Sequence, residues 1–387
     1  MEHDNHPAYA PPVFTTAVVS MALLWLSFPP VGFALLAWIA PLPLIWLVLP
    51  ASLSAKSHAG PPTKPYRKLY LAGFLYWLAT FYFVPIPHPA LWIGWLAVSA
   101  YMAVYTPLTI GASRVLVHRF DWPAVVAVPI AWTGVEWIRC WFATGMGMVC
   151  LSHSQAKLPI AIQIADLSGS YTVTFVMIVF ATGMATTWHR WRNSSNVLVR
   201  SNSYFSIATP GMVAVLALAA SLSYGYWRLM PLPDDASGTR LKVALVQTSE
   251  DVIFSPMTRD QIEHRIQRVV ALTNQAAANQ PNLICWPESG LTPCQWLLSD
   301  ASADYSVEDA ENEIRLFWSE AVNRDELQGT PLLTGALAND VQKQQIFNAA
   351  VLIDRQGKFA GRYDKIHPVM FGEYIPFGQW FPVLERM

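Results

Sequence analysis

Long apolar runs separated by short polar loops occupy residues 1–228, and the pattern changes after that. A helix needs about 20 mostly apolar residues to cross a bilayer. Seven stretches come near that length: Pro12–Phe28, Gly32–Leu49, Leu69–Val84, Leu91–Val117, Ala124–Trp141, Tyr171–Trp188 and Ser206–Trp227. Only Pro29 and Pro30 separate the first two, which predicts a tight hairpin or a re-entrant pair. Residues 229–240 are rich in Pro, Asp, Gly and Ser and read as a linker. From residue 241 the runs shorten. Leu241–Gln247, Asn282–Trp286, Pro331–Leu337, Phe347–Ile353 and Lys358–Tyr363 read as strands, the last two joined through Asp354-Arg355-Gln356-Gly357. Thr258–Asn279 and Val307–Arg324 carry helical spacing. Strands alternating with helices predict α/β layers over residues 241–387. The expected architecture is a polytopic α-helical membrane bundle followed by an α/β domain.

Composition agrees. The chain of 387 residues is 53% hydrophobic and 13% charged, against roughly 25% charged in ordinary soluble domains. Its net charge of -1 supplies no field that would gather nucleic acid. Lys and Arg concentrate in alternate loops: Lys56, Lys64, Arg67 and Lys68, then Arg114 and Arg119, then Arg190, Arg192 and Arg200. Cytoplasmic loops carry this excess. Seven crossings from an inside N-terminus would therefore put residues 241–387 outside the cytoplasm. Trp92, Trp122, Trp188 and Trp227 stand near segment ends, as interfacial anchors do. The N-terminus lacks the basic region and the small-residue cleavage site of a signal peptide.

Candidate chemistry is sparse. The four cysteines (140, 150, 285 and 294) form no CxxC pair and have no His at metal-ligand spacing, which argues against zinc. Cys140 and Cys150 could pair on an oxidising side, but spacing alone cannot decide it. Glu136 and Arg139 are three residues apart and share a helical face inside an apolar segment. The plain expectation is an ion pair that seats the helix; the alternative is a polar wall facing a lipid headgroup. Asp166, in the following loop, has the same two readings. Glu288 follows the apolar strand Leu-Ile-Cys-Trp-Pro, at a strand end where α/β folds place catalytic groups. Lys365 follows a strand end in the same way, and Glu373 lies in a loop between Gly372 and Pro376. Each of these, taken alone, could equally be a solvated surface charge.

Together they are specific. WPES with Glu288, and FNAAVLIDRQGKFAGRYDKIHPVMFGEYIPF with Lys365 and Glu373, resemble the nitrilase-type domain of apolipoprotein N-acyltransferases. FPPVGFALLAWIAPLPLIWL and EWIRCWFATGMGMVCLSHSQAKLPIAIQIADLSGSYTVTF resemble the membrane half of that family. The likeness runs from about Phe28 to the last residue, but no match is recognised over 301–329. It implies an αββα sandwich of nitrilase type and a multi-pass protein of the bacterial inner membrane, with this domain on the periplasmic side. It also implies a Glu-Lys-Cys mechanism. Glu288 would be the general base, Lys365 would stabilise the oxyanion, and Glu373 would be a supporting acid. The acyl donor would be a phospholipid and the acceptor a diacylated lipoprotein, with no cofactor. The family's nucleophilic Cys comes a few tens of residues after the Lys and precedes a last membrane helix. Only 22 residues follow Lys365 here and none is Cys, so the chain is expected to be cut short and inactive as written. Cys285 and Cys294 stand at the wrong positions to replace it. Two other readings are a non-catalytic membrane relative, binding lipid or lipoprotein or serving conjugal transfer, and a membrane-tethered amidase.

Overall fold

Helix follows apolar length through the first part of the chain, except where proline removes a donor. The computed structural model describes residues 12–49, 65–86, 89, 91–142, 145–194, 203–230, 240–249, 258–288, 295–298, 329–340, 345–356 and 359–368. The chain divides into two units, Met1–Leu232 and Pro233–Met387.

In the first unit α1 (Val13–Ser27) is followed by a 3-10 turn, Ala34–Trp38, and a five-residue α2 (Leu42–Trp46). The single helix expected over Gly32–Leu49 is therefore not formed. Pro41 and Pro43 cannot donate to the preceding turn, so the chain is bent into short pieces there. α3 (Pro65–Thr80) comes next. The segment expected over Leu91–Val117 is present as the apolar stretch Leu91–His118, interrupted only at Val104, between α4 (Leu91–Ala103) and α5 (Tyr105–His118). Pro107 has no N–H for the Ala103 carbonyl, and the Val104 amide turns back to Tyr101 at 3.2 Å. α6 (Ala124–Trp141) leads to a second 3-10 turn, Leu151–Gln155, then to α7 (Pro159–Ile162), α8 (Ala165–Ser168), α9 (Ser170–Ser194) and α10 (Ser203–Arg228).

Three stretches are long and apolar enough to cross a membrane among the described residues: Leu91–His118, Ser170–Arg192 and Phe205–Arg228. Leu44, Ile45, Leu69, Met102, Met177 and Ile178 are fully buried and form the centre of this unit. α9 meets α10 through small residues. A Cβ on Gly183 would collide with the Pro210 carbonyl and lie 2.6 Å from the Ala214 Cβ. Apolar helices in lipid gain from such close backbone approach, because burial away from water no longer separates one partner from another. Asp166 ties α8 to the end of α10. It pairs with Arg228 at 2.9 Å and accepts from Tyr224 at 2.8 and 2.9 Å.

The second unit is a mixed sheet with one described helix. α11 (Arg259–Ala277) starts at a reciprocal capping box: Thr258 accepts from the Gln261 amide, and the Gln261 side chain accepts from the Thr258 amide. Its apolar face, including Val269 and Ala277, packs on Ile284, Leu332 and Val351. The strands are β1 (Val243–Leu245), β2 (Leu283–Cys285), β3 (Gln295–Leu298), β4 (Leu332–Asp340), β5 (Gln345–Ile353) and β6 (Phe359–Asp364). β1, β2 and β4 run parallel, and β5 and β6 continue antiparallel. β3 also pairs parallel with β4, over Leu337–Asp340, whereas β2 uses Leu332 and Leu333. β5 occupies the other edge of β4 throughout, so β2 and β3 lie in tandem along one edge. The sequence pattern contained no sign of β3. The helix expected over Val307–Arg324 lies outside the described residues.

Candidate active site

The tandem arrangement leaves a gap in the ladder at Thr334–Ala336, and Pro287-Glu288 fills it. The Trp286 amide donates to the Leu333 carbonyl at 2.8 Å, and the Gly335 amide donates to the Pro287 carbonyl at 3.3 Å. Glu288 then rests its backbone directly on Gly335. A Cβ on Gly335 would run into the Glu288 carbonyl and lie 2.5 Å from its Cα. The Trp286 indole pins the same turn from the other side, donating to Thr273 of α11 at 2.9 Å. The carboxylate thus leaves the sheet from a turn fixed by a ladder bond, a side-chain bond and a glycine.

Register brings the other groups to it. Asn348 lies opposite Leu337 in the β4–β5 pair, and Ala349 lies opposite Asp364 in the β5–β6 pair. Lys365, one residue past β6, therefore stands beside Asn348, and its amide donates to the Asn348 carbonyl at 2.8 Å. The Lys365 Nζ reaches Glu288 Oε1 at 2.8 Å, across 77 residues of sequence. Asn348 Nδ2 donates to the same oxygen at 2.6 Å. Next to the pair, Arg362 grips Asp364 with two contacts of 2.8 Å and lies over the Phe347 ring. This pairing locks the end of β6, from which Lys365 extends.

The Glu288 side chain is 61% exposed and that of Lys365 29%. An ion pair this open contributes about 0–1 kcal/mol. Stability does not account for it. Chemically, it offers a carboxylate that can take a proton and an ammonium that can face developing negative charge, within one hydrogen bond of each other. Cys285 is in β2, where burial pushes its thiol above the ordinary range. That disfavours the thiolate a nucleophile needs. Glu373 and Cys294 lie outside the described residues. Sequence reasoning assigned no part to Asn348 or Gly335. The available signals were an amide inside the apolar strand Ile-Phe-Asn-Ala-Ala-Val-Leu-Ile and a glycine inside Leu-Leu-Thr-Gly-Ala-Leu-Ala.

The first unit holds a second polar constellation. Glu136 and Arg139 of α6 are buried, 9% and 4% exposed. The ion pair expected between them is not made. Glu136 accepts from the Leu151 amide and the Thr174 hydroxyl, each at 2.9 Å. Arg139 donates to the Cys150 sulfur at 3.1 Å and the Val149 carbonyl at 3.4 Å, and lies over the Trp77 ring. Both side chains instead bond the chain that follows α6, whose amide and carbonyl groups would otherwise be unmet. They also border a cavity of about 90 Å³, with Tyr76, Tyr105 and Trp132 on its wall.

The chain thus combines long apolar helices with a mixed sheet at whose strand ends Glu288 and Lys365 meet. Residues 242–386 match the carbon-nitrogen hydrolase family, and residues 20–183 match the apolipoprotein N-acyltransferase N-terminal domain. Curated relatives agree. The apolipoprotein N-acyltransferase of Rhodopirellula baltica is 27% identical, over 93% of this chain and 67% of its own length. That of Geobacter metallireducens is 27% identical, over 97% and 67%, and that of Agrobacterium fabrum 25% identical, over 93% and 65%. The chain spans about two thirds of the length of these relatives. Over most of its length the chain is thus similar to apolipoprotein N-acyltransferases, and the carbon-nitrogen hydrolase match together with these relatives supports an acyltransferase enzyme.

Proposed function

We propose that this protein transfers an acyl chain from a phospholipid to the α-amine of the diacylglyceryl-cysteine of a lipoprotein, using Glu288 and Lys365. The contact of 2.8 Å between these residues is the observation that carries the reading. Glu288 takes the proton of a thiol, which attacks the phospholipid ester carbonyl. Lys365 places its positive charge against the oxyanion that forms. The intermediate collapses to a thioester, and the leaving lysophospholipid takes the proton back from Glu288. The free amine then attacks the thioester and restores the thiol. Glu373 supports the site as a second acidic group. Asn348, by holding Glu288 Oε1, positions the base.

The membrane part of the reading is a multi-pass protein of the inner membrane, with its N-terminus inside and residues 241–387 on the periplasmic side. The alternation of Lys and Arg between loops supports that orientation. Cys285 is a poor source of that thiol, because burial raises it.

The test is expression of the whole reading frame, through its own stop codon, in membranes supplied with a phospholipid that bears an alkyne-tagged acyl chain. The expected result is a hydroxylamine-sensitive acyl-protein that passes its label to a diacylated lipopeptide, with both signals lost in Glu288→Gln. A stop codon directly after Met387, or a membrane-inserted product that never becomes labelled, would remove the acyl-transfer reading. Hydrolysis of small amides without acyl transfer would replace it with an amidase.

A further inference from the structure

The chain leaving α6 folds straight back on the helix end. The Met146 amide donates to the Arg139 carbonyl at 2.9 Å, and the Gly145 amide donates to the Phe142 carbonyl at 3.0 Å. Gly145 has φ +85°, and a Cβ on it would strike the Cys140 carbonyl, so this reversal depends on glycine. The return brings Cys150 alongside Cys140, with the sulfurs 3.8 Å apart. A disulfide has its sulfurs about 2.0 Å apart, so closure needs a movement of under about 2 Å, within reach of side-chain rotation. Cys150 is 2% exposed, and Arg139 holds it with a bond of 3.1 Å to the sulfur. Cys140 is more accessible.

We propose that Cys140 and Cys150 are a disulfide-forming pair that locks the chain after α6 to the last turn of that helix. The partial exposure of Cys140 makes it the first to react. Its thiolate attacks the disulfide of a protein thiol oxidant, forming a mixed disulfide and releasing one thiolate of the oxidant. Cys150 then gives up its proton to solvent and attacks the Cys140 sulfur, which expels the second thiolate. Two thiols are oxidised and one disulfide is reduced. Burial, and after it the Glu136 carboxylate, push the Cys150 thiol up to about 12, and the adjacent Arg139 guanidinium opposes them in part. The second step is therefore the slow one, and Arg139 lowers its cost without cancelling it. The bond would hold Leu151, whose amide caps Glu136, in its place.

The inference rests on the orientation proposed above, because disulfides persist on the oxidising side of a bacterial membrane. The experiment traps thiols with an alkylating agent during lysis, then digests the full chain and maps its peptides by mass spectrometry. The expected result is a Cys140–Cys150 linked peptide, two hydrogens lighter than its halves, that separates on reduction. Cys140→Ser and Cys150→Ser should each abolish it and leave the partner thiol alkylated, whereas Cys285→Ser should leave it intact. A link that forms only when the solubilised protein meets oxidised glutathione supports the pairing and overturns the orientation. No link under either condition overturns the pairing and leaves the orientation standing.

Discussion

Each unit of this protein holds a glutamate and a cation, and the two couples behave in opposite ways. Glu136 and Arg139 are three residues apart, buried, and bonded to other groups. Glu288 and Lys365 are 77 residues apart, open to solvent, and in contact at 2.8 Å. Burial explains the first couple. A group withdrawn from water must find hydrogen-bond partners, and the amide of Leu151 and the carbonyl of Val149 need them as well as the charges do. Nothing about burial explains the second. An exposed pair, assembled by register and by a glycine that admits the Glu288 backbone, adds little stability, and on the function proposed above it serves chemistry instead.

The contrast can be broken most directly at Lys365. Lys365→Met should lower the rate of acyl-enzyme formation about 10²–10³-fold, with the thermal unfolding midpoint of the purified protein almost unmoved. A comparable fall in that midpoint would mean that the pair is structural. Gly335→Ala should come next. The new methyl group meets backbone rather than a flexible side chain, so about 1–3 kcal/mol of stability should be lost. Acylation should fall with it, because Glu288 is displaced. Glu136→Ala should show the reverse of Lys365→Met. It leaves the Leu151 amide and the Thr174 hydroxyl without an acceptor, costing about 1–3 kcal/mol of stability. The chemical step should be preserved in whatever fraction remains folded. Asn348→Ala removes one bond to Glu288, worth about 1 kcal/mol, or several-fold in rate. Its signature is a change in the turnover number with the Michaelis constant for phospholipid held. Cys285→Ser should change the acylation rate least of all. Burial raises that thiol, so it stays protonated at neutral pH. A large loss of acyl-enzyme in this variant would reassign the nucleophile.

Much of the second unit was legible beforehand because its signals are local. Apolar spacing over Thr258–Asn279 predicted a helix, and α11 fills Arg259–Ala277. The runs at 283–285 and 347–353 are strands in the structure as their patterns indicated. The first unit was less so. Apolar length predicted helices over Gly32–Leu49 and Leu91–Val117. The second stands as the stretch Leu91–His118, interrupted only at Val104, but Pro41 and Pro43 broke the first, since a missing donor outweighs hydrophobic length at one turn. β3 escaped notice because its place depends on an open stretch of β4's edge rather than on its own residues.

The sequence by itself determined where apolar surface must be hidden and that Glu288 and Lys365 stand at strand ends. These follow from periodicity and from the chemistry of single residues. Only the tertiary structure decided which groups meet. Lys365 reached Glu288 through the register of β4, β5 and β6. Glu136 and Arg139, neighbours on one helix, were drawn to separate partners by the chain folding back at Gly145. A polar group bonds whatever the surrounding backbone presents within about 3 Å, and that choice is made by packing across tens of residues.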